Sequence, residues 1–117
     1  MDHINKFFYN NLNQLLEKTS EWPCEYLFKF IVKSDKNKIE IIESIFNNIG
    51  AIIKKKQSRN NNFTSISVNV IIDRPKNVIE KYKEVSNKVK DVILLYHKPV
   101  IIYFLYFADL NESSLII

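Results

Sequence analysis

The sequence predicts one α+β domain of the split β-α-β (ferredoxin-like) kind, an antiparallel sheet in β-α-β-β-α-β order preceded by an extra helix. Three observations carry this. Period-2 and period-3.6 apolar patterns succeed each other in that order. The chain has 117 residues, one domain's worth. Its apolar residues make up 46% and its charged residues 26%, enough for a core within an ordinary balance of charge. The expected organisation is an amphipathic helix over 1–21, the ferredoxin-like domain over 22–96 and an apolar tail over 97–117.

Ile4, Phe7, Phe8, Leu12, Leu15 and Leu16 recur at helical spacing and predict a first helix ending near Thr19 and Ser20. An isolated helix of this length is marginal in water, so its apolar face must land on the rest of the domain. Trp22-Pro23 breaks it. Residues 25–32 (EYLFKFIV) are aromatic and β-branched and predict a strand. Tyr26, Phe28 and Phe30 alternate to one side; Leu27, Lys29 and Ile31 alternate to the other. A buried unpaired lysine is costly, so the rings are expected inward and the Lys29 side outward.

Ser34 or Asp35 can cap the next helix. Its apolar stripe is Ile39, Ile42, Ile45, Phe46 and Ile49, and Gly50, the chain's one glycine, stands where a left-handed C′ residue is wanted. Residues 51–58 read as a second strand and 59–62 (RNNN) as a turn, since asparagine tolerates left-handed backbone. Residues 63–72 give the clearest alternation. Ile66, Val68, Val70 and Ile72 lie on one face; Ser65, Ser67 and Asn69 lie on the other, as in a half-buried antiparallel strand. Asp73 is a candidate cap for a third helix with Pro75 in its first turn. Val78, Ile79, Tyr82, Val85 and Val89 form its stripe, and residues 91–95 read as a fourth short strand.

The tail contains PVIIYFLYFA over 99–108, about half the roughly 20 residues needed to span a bilayer as a helix. It is open between an added strand, a docked helix, an oligomer contact and translation past a frameshift. The N-terminal segment MDHINKFFYNNLNQ is polar, without the apolar run of a signal peptide, and the lone Cys24 can form no internal disulfide. Both point to a reducing cytoplasm and to no membrane span.

Catalytic constellations are missing from the pattern. His3 and His97 stand at opposite ends in no ligand spacing, so no metal or other cofactor is implied. Cys24 neighbours Glu25, whose carboxylate would raise the thiol's pKa. One glycine cannot build a phosphate-cradling loop, and Glu40 and Glu43 fall on the outer side of a helix. The chain is therefore expected to be non-catalytic.

The net charge is +4, and the basic residues concentrate at 54–59 (KKKQSR). Lys54, Lys56 and Ser58 alternate to one side of the strand; Lys55, Gln57 and Arg59 alternate to the other. One of these sets joins Lys29, Ser65, Ser67 and Asn69 on the outward sheet face, which is then polar and positive and suited to an anionic ligand, an acidic partner or RNA. The plainer alternative is a charged edge that discourages strand-to-strand aggregation. An RNA-recognition sheet stacks bases on exposed aromatics. Tyr26, Phe28 and Phe30 are expected inward, and the third strand lacks a Gly-Phe-Gly-Phe-type signature, so RNA stands second.

WPCEYLFKF over 22–30, SDKNKI over 34–39, QS at 57–58 leading to FTSISV over 63–68, and VIEKY over 78–82 resemble the YbeD-like family of bacterial proteins of unknown function (domain of unknown function 493), most closely its Bacteroidetes-type branch. The resemblance covers roughly residues 5–95 and includes no catalytic motif. It implies a ferredoxin-like fold similar to ACT-type regulatory domains, which bind small effectors, often amino acids, at a dimer interface near the first strand–helix loop. Here that loop is Val32-Lys33-Ser34-Asp35-Lys36, without the glycine such loops commonly carry. The family's Lys-Gly-Lys-Tyr-like hairpin turn is replaced by Asn60-Asn61-Asn62-Phe63, and the family normally ends near residue 95.

The expected function is thus a regulatory or interaction module that binds a small effector or a protein partner through the open sheet face. The candidate binding residues are Lys29, Ser34, Asp35, Lys54, Lys56, Arg59, Ser65, Ser67 and Asn69. A homodimer is open among the partners. The alternative is a small single-stranded RNA-binding protein using the basic hairpin.

Overall fold

A computed structural model describes residues 2–97 and 102–105, with side chains over 9–95. The elements follow in the order α1 (Asp2–Thr19), β1 (Cys24–Lys33), α2 (Lys36–Ile45), β2 (Ile52–Gln57), β3 (Phe63–Ile72), α3 (Pro75–Lys88), β4 (Ile93–His97) and β5 (Ile102–Leu105). All strand pairs are antiparallel, in the order β2-β3-β1-β4-β5. The first four strands with α2 and α3 are consistent with the expected split β-α-β arrangement. β5 adds to the β4 edge, so residues 102–105 of the tail form a strand.

β1 and β3 alternate as expected and pair along their whole length, from Cys24 opposite Ile72 to Lys33 opposite Phe63. The rings of β1 lie under the helices. Phe28 and Phe30 are fully buried, with Phe46 and Tyr82 packed on them at centroid distances of 4.9 to 5.9 Å. Tyr9, Leu12 and Leu16 bring α1 into the same core. The apolar face of α1 thus lands on the rest of the domain, as its length requires. Tyr9 meets α3, where the Lys83 ammonium lies 5.5 Å from its ring. Burial raises the Tyr9 phenol above its ordinary range, against the opposite pull of a hydrogen bond with Ser86. The side chains of Ile4, Phe7 and Phe8, expected on this face, lie outside the described ones.

Of the two candidate caps of α2 it is Asp35 that serves: its carboxylate accepts from the backbone N–H of Asn37 at 2.8 Å and of Lys38 at 3.4 Å. Asp35→Ala is expected to lower the unfolding free energy by about 1 kcal/mol in urea titration, and Asp35→Asn to restore most of it.

Four local expectations are corrected. α2 ends at Ile45, not next to Gly50, because Asn48 (φ 67°) and Gly50 (φ 74°) are both left-handed and turn the chain off the helix axis. Ile49 swings out of the stripe with them and is 41% exposed. The N-cap of α3 is Arg74, with no side-chain bond, rather than Asp73, since Pro75 takes the first helical position. β4 starts at Ile93 rather than at residue 91, because Asp91 is left-handed (φ 59°) and cannot sit in a strand.

The hairpin between β2 and β3 behaves as expected of asparagine. Asn61 is left-handed (φ 63°), and the Asn60 side-chain oxygen accepts from the Ser58 hydroxyl and the Asn62 N–H. Among the described residues, no helix is long and apolar enough to cross a membrane.

Candidate functional site

Cross-strand register sets the sheet face opposite the helices out in rows. Lys54 stands opposite Ser67, and Ser67 opposite Lys29. In the next row Lys56 faces Ser65 and Ser65 faces Ile31; on the other side Ile52 faces Asn69 and Asn69 faces Leu27. Of the two alternating sets in the basic strand, it is therefore Lys54 and Lys56 that share a face with Lys29. With strands about 4.8 Å apart, the Lys54 and Lys29 Cα atoms are roughly 10 Å apart across Ser67. A carboxylate over the Ser67 hydroxyl is then within reach of both flexible ammonium groups.

Lys54 and Lys56 are exposed and Lys29 is half-buried. Among the described residues none of the three makes an ion pair. Lys55 points to the helix side and is neutralised by Glu43 of α2, Nζ to Oε2 3.0 Å. The free positive charge of β2 is thus concentrated on the outward face.

That face is not uniformly open, contrary to expectation. Ile31 is buried rather than outward in water, and it forms a second apolar cluster with Ile93 and Leu95 of β4, against which Phe63 packs. Ser65 is buried beside it. The physical reason is the position of β4 next to β1: Leu95 lies opposite Lys29 and Ile93 opposite Ile31, so the β4 half of the face is apolar. The polar, positive half is confined to β2, β3 and the middle of β1.

The other expected residues separate from this group. The Ser34 hydroxyl is 2.8 Å from that of Thr64, and the Ser34 N–H donates to the Asn62 carbonyl. With Asp35 capping α2, the Ser34 and Asp35 side chains of the first strand–helix loop both make hydrogen bonds within the fold. Arg59 is exposed in the turn beyond the end of β2. Asn69 lies on the face, and its Oδ1, shielded from solvent, has no hydrogen-bond partner among the described residues.

Two features were not foreseen. Ile52 and Ile71 are 64% and 70% exposed at one end of the lysine face. A groove of about 470 Å³ runs between α2 and β2, its lining divided between polar side chains, Glu40, Glu43 and Asn48 among them, and the apolar Phe46, Ala51 and Ile53. An Ile-Ile-Lys-Lys-Lys run holds no clue to which isoleucine faces out. Register alone fixes it, by setting Ile53 opposite the buried Val68.

Cys24 is half-buried and its thiol is pushed up by burial, which makes it a poor nucleophile. Among the described residues no cluster of three or more His, Cys, Asp or Glu side chains is placed to hold a metal ion.

The family described as "Protein of unknown function (DUF493)" matches residues 17–94. The match begins in the last turn of α1 and closes within β4, so it takes in every row of the lysine face. No curated protein and no solved structure matches the chain.

Proposed function

The chain belongs to the DUF493 family, and we propose that it acts as a non-catalytic interaction module of the cytoplasm whose lysine-bearing sheet face takes an acidic protein partner. One observation carries this: Lys29 and Lys54 flank Ser67, with Lys56 in the next row, on a face that none of the described helices covers, and among the described residues the three make no ion pair. A regulatory role of the ACT type is kept in its general sense, control by binding. It does not rest on the first strand–helix loop, where Ser34 and Asp35 are engaged by Thr64 and the α2 amides. RNA is less favoured because Tyr26, Phe28 and Phe30, the rings a base would stack on, are spent in the core.

The probe is fluorescein-labelled decaglutamate, read by anisotropy at low ionic strength. Replacing Lys29, Lys54 and Lys56 together by Gln is expected to weaken binding about tenfold or more. Replacing Lys18, Lys36 and Lys76, all exposed elsewhere, removes the same charge and is expected to leave binding within about twofold. Equal losses in the two variants would mean attraction to net charge alone and would overturn the site. An oligouridine bound more tightly than decaglutamate would put the RNA function in its place.

A further inference from the structure

We propose that the free edge of β2 accepts an extended, acidic segment of the partner protein as an additional strand, with its acidic side chains over Lys54 and Lys56 and an apolar side chain in the groove between α2 and β2. This rests on the acidic-partner function above and specifies how such a partner is held.

β2 ends the sheet on its side, so its outer row of backbone N–H and C=O groups has no strand beside it among the described residues. Such an edge is a template for another strand, whose main-chain bonds give affinity and whose alternate side chains give specificity. The two sides of this edge differ. Outward, an added strand meets Lys54 and Lys56. Inward it meets half-buried Ala51 and Ile53 and the buried Phe46, where Lys55 is already neutralised by Glu43. Glu40, which lines the groove without an ion pair among the described residues, disfavours an acidic group on that inner side. The matching segment therefore alternates acidic and apolar residues, acid outward.

A second copy of this chain is a poor occupant. In the antiparallel register centred on Lys55, pairing β2 with β2 sets Lys54, Lys55 and Lys56 against the same three lysines, and like charges directly opposite are destabilising. The same charges that repel a copy attract an acidic strand, so the edge discriminates between partners instead of only refusing them. A purely protective edge would not combine its lysines with Ile52 left 64% exposed and a groove of about 470 Å³ that includes Ala51 and Ile53 in its lining.

The experiment uses the full chain and a labelled nonapeptide alternating glutamate and valine, in three forms: unmodified, N-methylated at the glutamates, and N-methylated at the valines. In a strand, alternate N–H groups point to opposite edges. One methylated form is therefore expected to lose about tenfold or more in affinity and the other to stay within about threefold. Backbone amides of residues 52–57 should gain protection from hydrogen exchange when the unmodified peptide binds. If both methylated forms bind like the parent while the decaglutamate result holds, the partner lies on the lysine face and strand addition is wrong. Failure of the nonapeptide to bind, with decaglutamate still dependent on Lys29, Lys54 and Lys56, likewise overturns strand addition alone. Loss of the decaglutamate contrast between the two triple variants overturns the underlying function instead.

Discussion

Phe28→Ala is expected to cost about 3–5 kcal/mol of unfolding free energy, a large part of what holds a domain of this size folded. Phe28 is fully buried at the centre of β1, the middle strand of the sheet. It is the ring on which the aromatic core converges. Tyr26 meets it edge-on at 4.8 Å, Tyr82 of α3 at 5.1 Å, Phe46 after α2 at 4.9 Å, and Phe30 stacks beside it at 6.0 Å. Truncation leaves a hole between the sheet and both covering helices that rings from three elements cannot jointly fill. Phe28→Leu keeps most of the volume and is expected to cost less than half as much. Chemical denaturation of the two variants measures the difference. Equal costs would show that the site collapses freely, and that the rings are not locked in one arrangement. Leu27→Ala, next along the chain but half-buried on the other face, serves as the comparison and is expected to cost about 1 kcal/mol.

The inward turn of these rings was legible in the sequence because Lys29 breaks the symmetry of β1: one side carries three rings and the other a charge. β3 was legible for the same reason, serines and an asparagine alternating with β-branched residues. β2 was not. Ile52-Ile53 and Lys54-Lys55-Lys56 repeat the same chemistry on both faces, so periodicity assigns none of them. Only the pairing of Ile53 with Val68 and of Lys54 with Ser67 does. The candidate site was legible to the same degree. Alternation puts Lys29 on one side of β1 and Ser67 and Asn69 on one side of β3, but which lysines share the face with Lys29 is a matter of register, which no local signal specifies. The apolar half of the outward face was missed for a related reason. Its members, Ile31, Ile93 and Leu95, come from two strands whose adjacency is topological. Ser34 and Asp35 look like a binding loop in the sequence because serine and aspartate serve caps and ligands equally well. In the fold both make hydrogen bonds to the protein itself, Ser34 beside Thr64 and Asp35 at the start of α2.

Tyr82→Phe is expected to cost about 1–3 kcal/mol although it deletes a single oxygen. Tyr82 is 1% exposed, and its hydroxyl donates to the Leu95 carbonyl at 2.7 Å while lying 2.9 Å from the Tyr26 hydroxyl. A phenol has one proton. Since Tyr82 gives its own to Leu95, Tyr26 is the donor in the contact between the two tyrosines. Tyr82 thus ties α3 at once to β1 and to β4, through one oxygen that both gives and receives. The asymmetry makes the pair testable beyond its size. Tyr26→Phe removes a donor to Tyr82 but leaves the bond to Leu95 in place, so it is expected to cost about 1 kcal/mol or less. In the double variant the Tyr26 contact has already been lost with the Tyr82 oxygen, so the cost should be close to that of Tyr82→Phe alone. The expected coupling is therefore roughly 0.5–1 kcal/mol. Urea denaturation of the two single variants and the double variant measures it. Strict additivity would show that the two hydroxyls act independently, and that the relay from β1 through α3 to β4 is not what secures the short fourth strand.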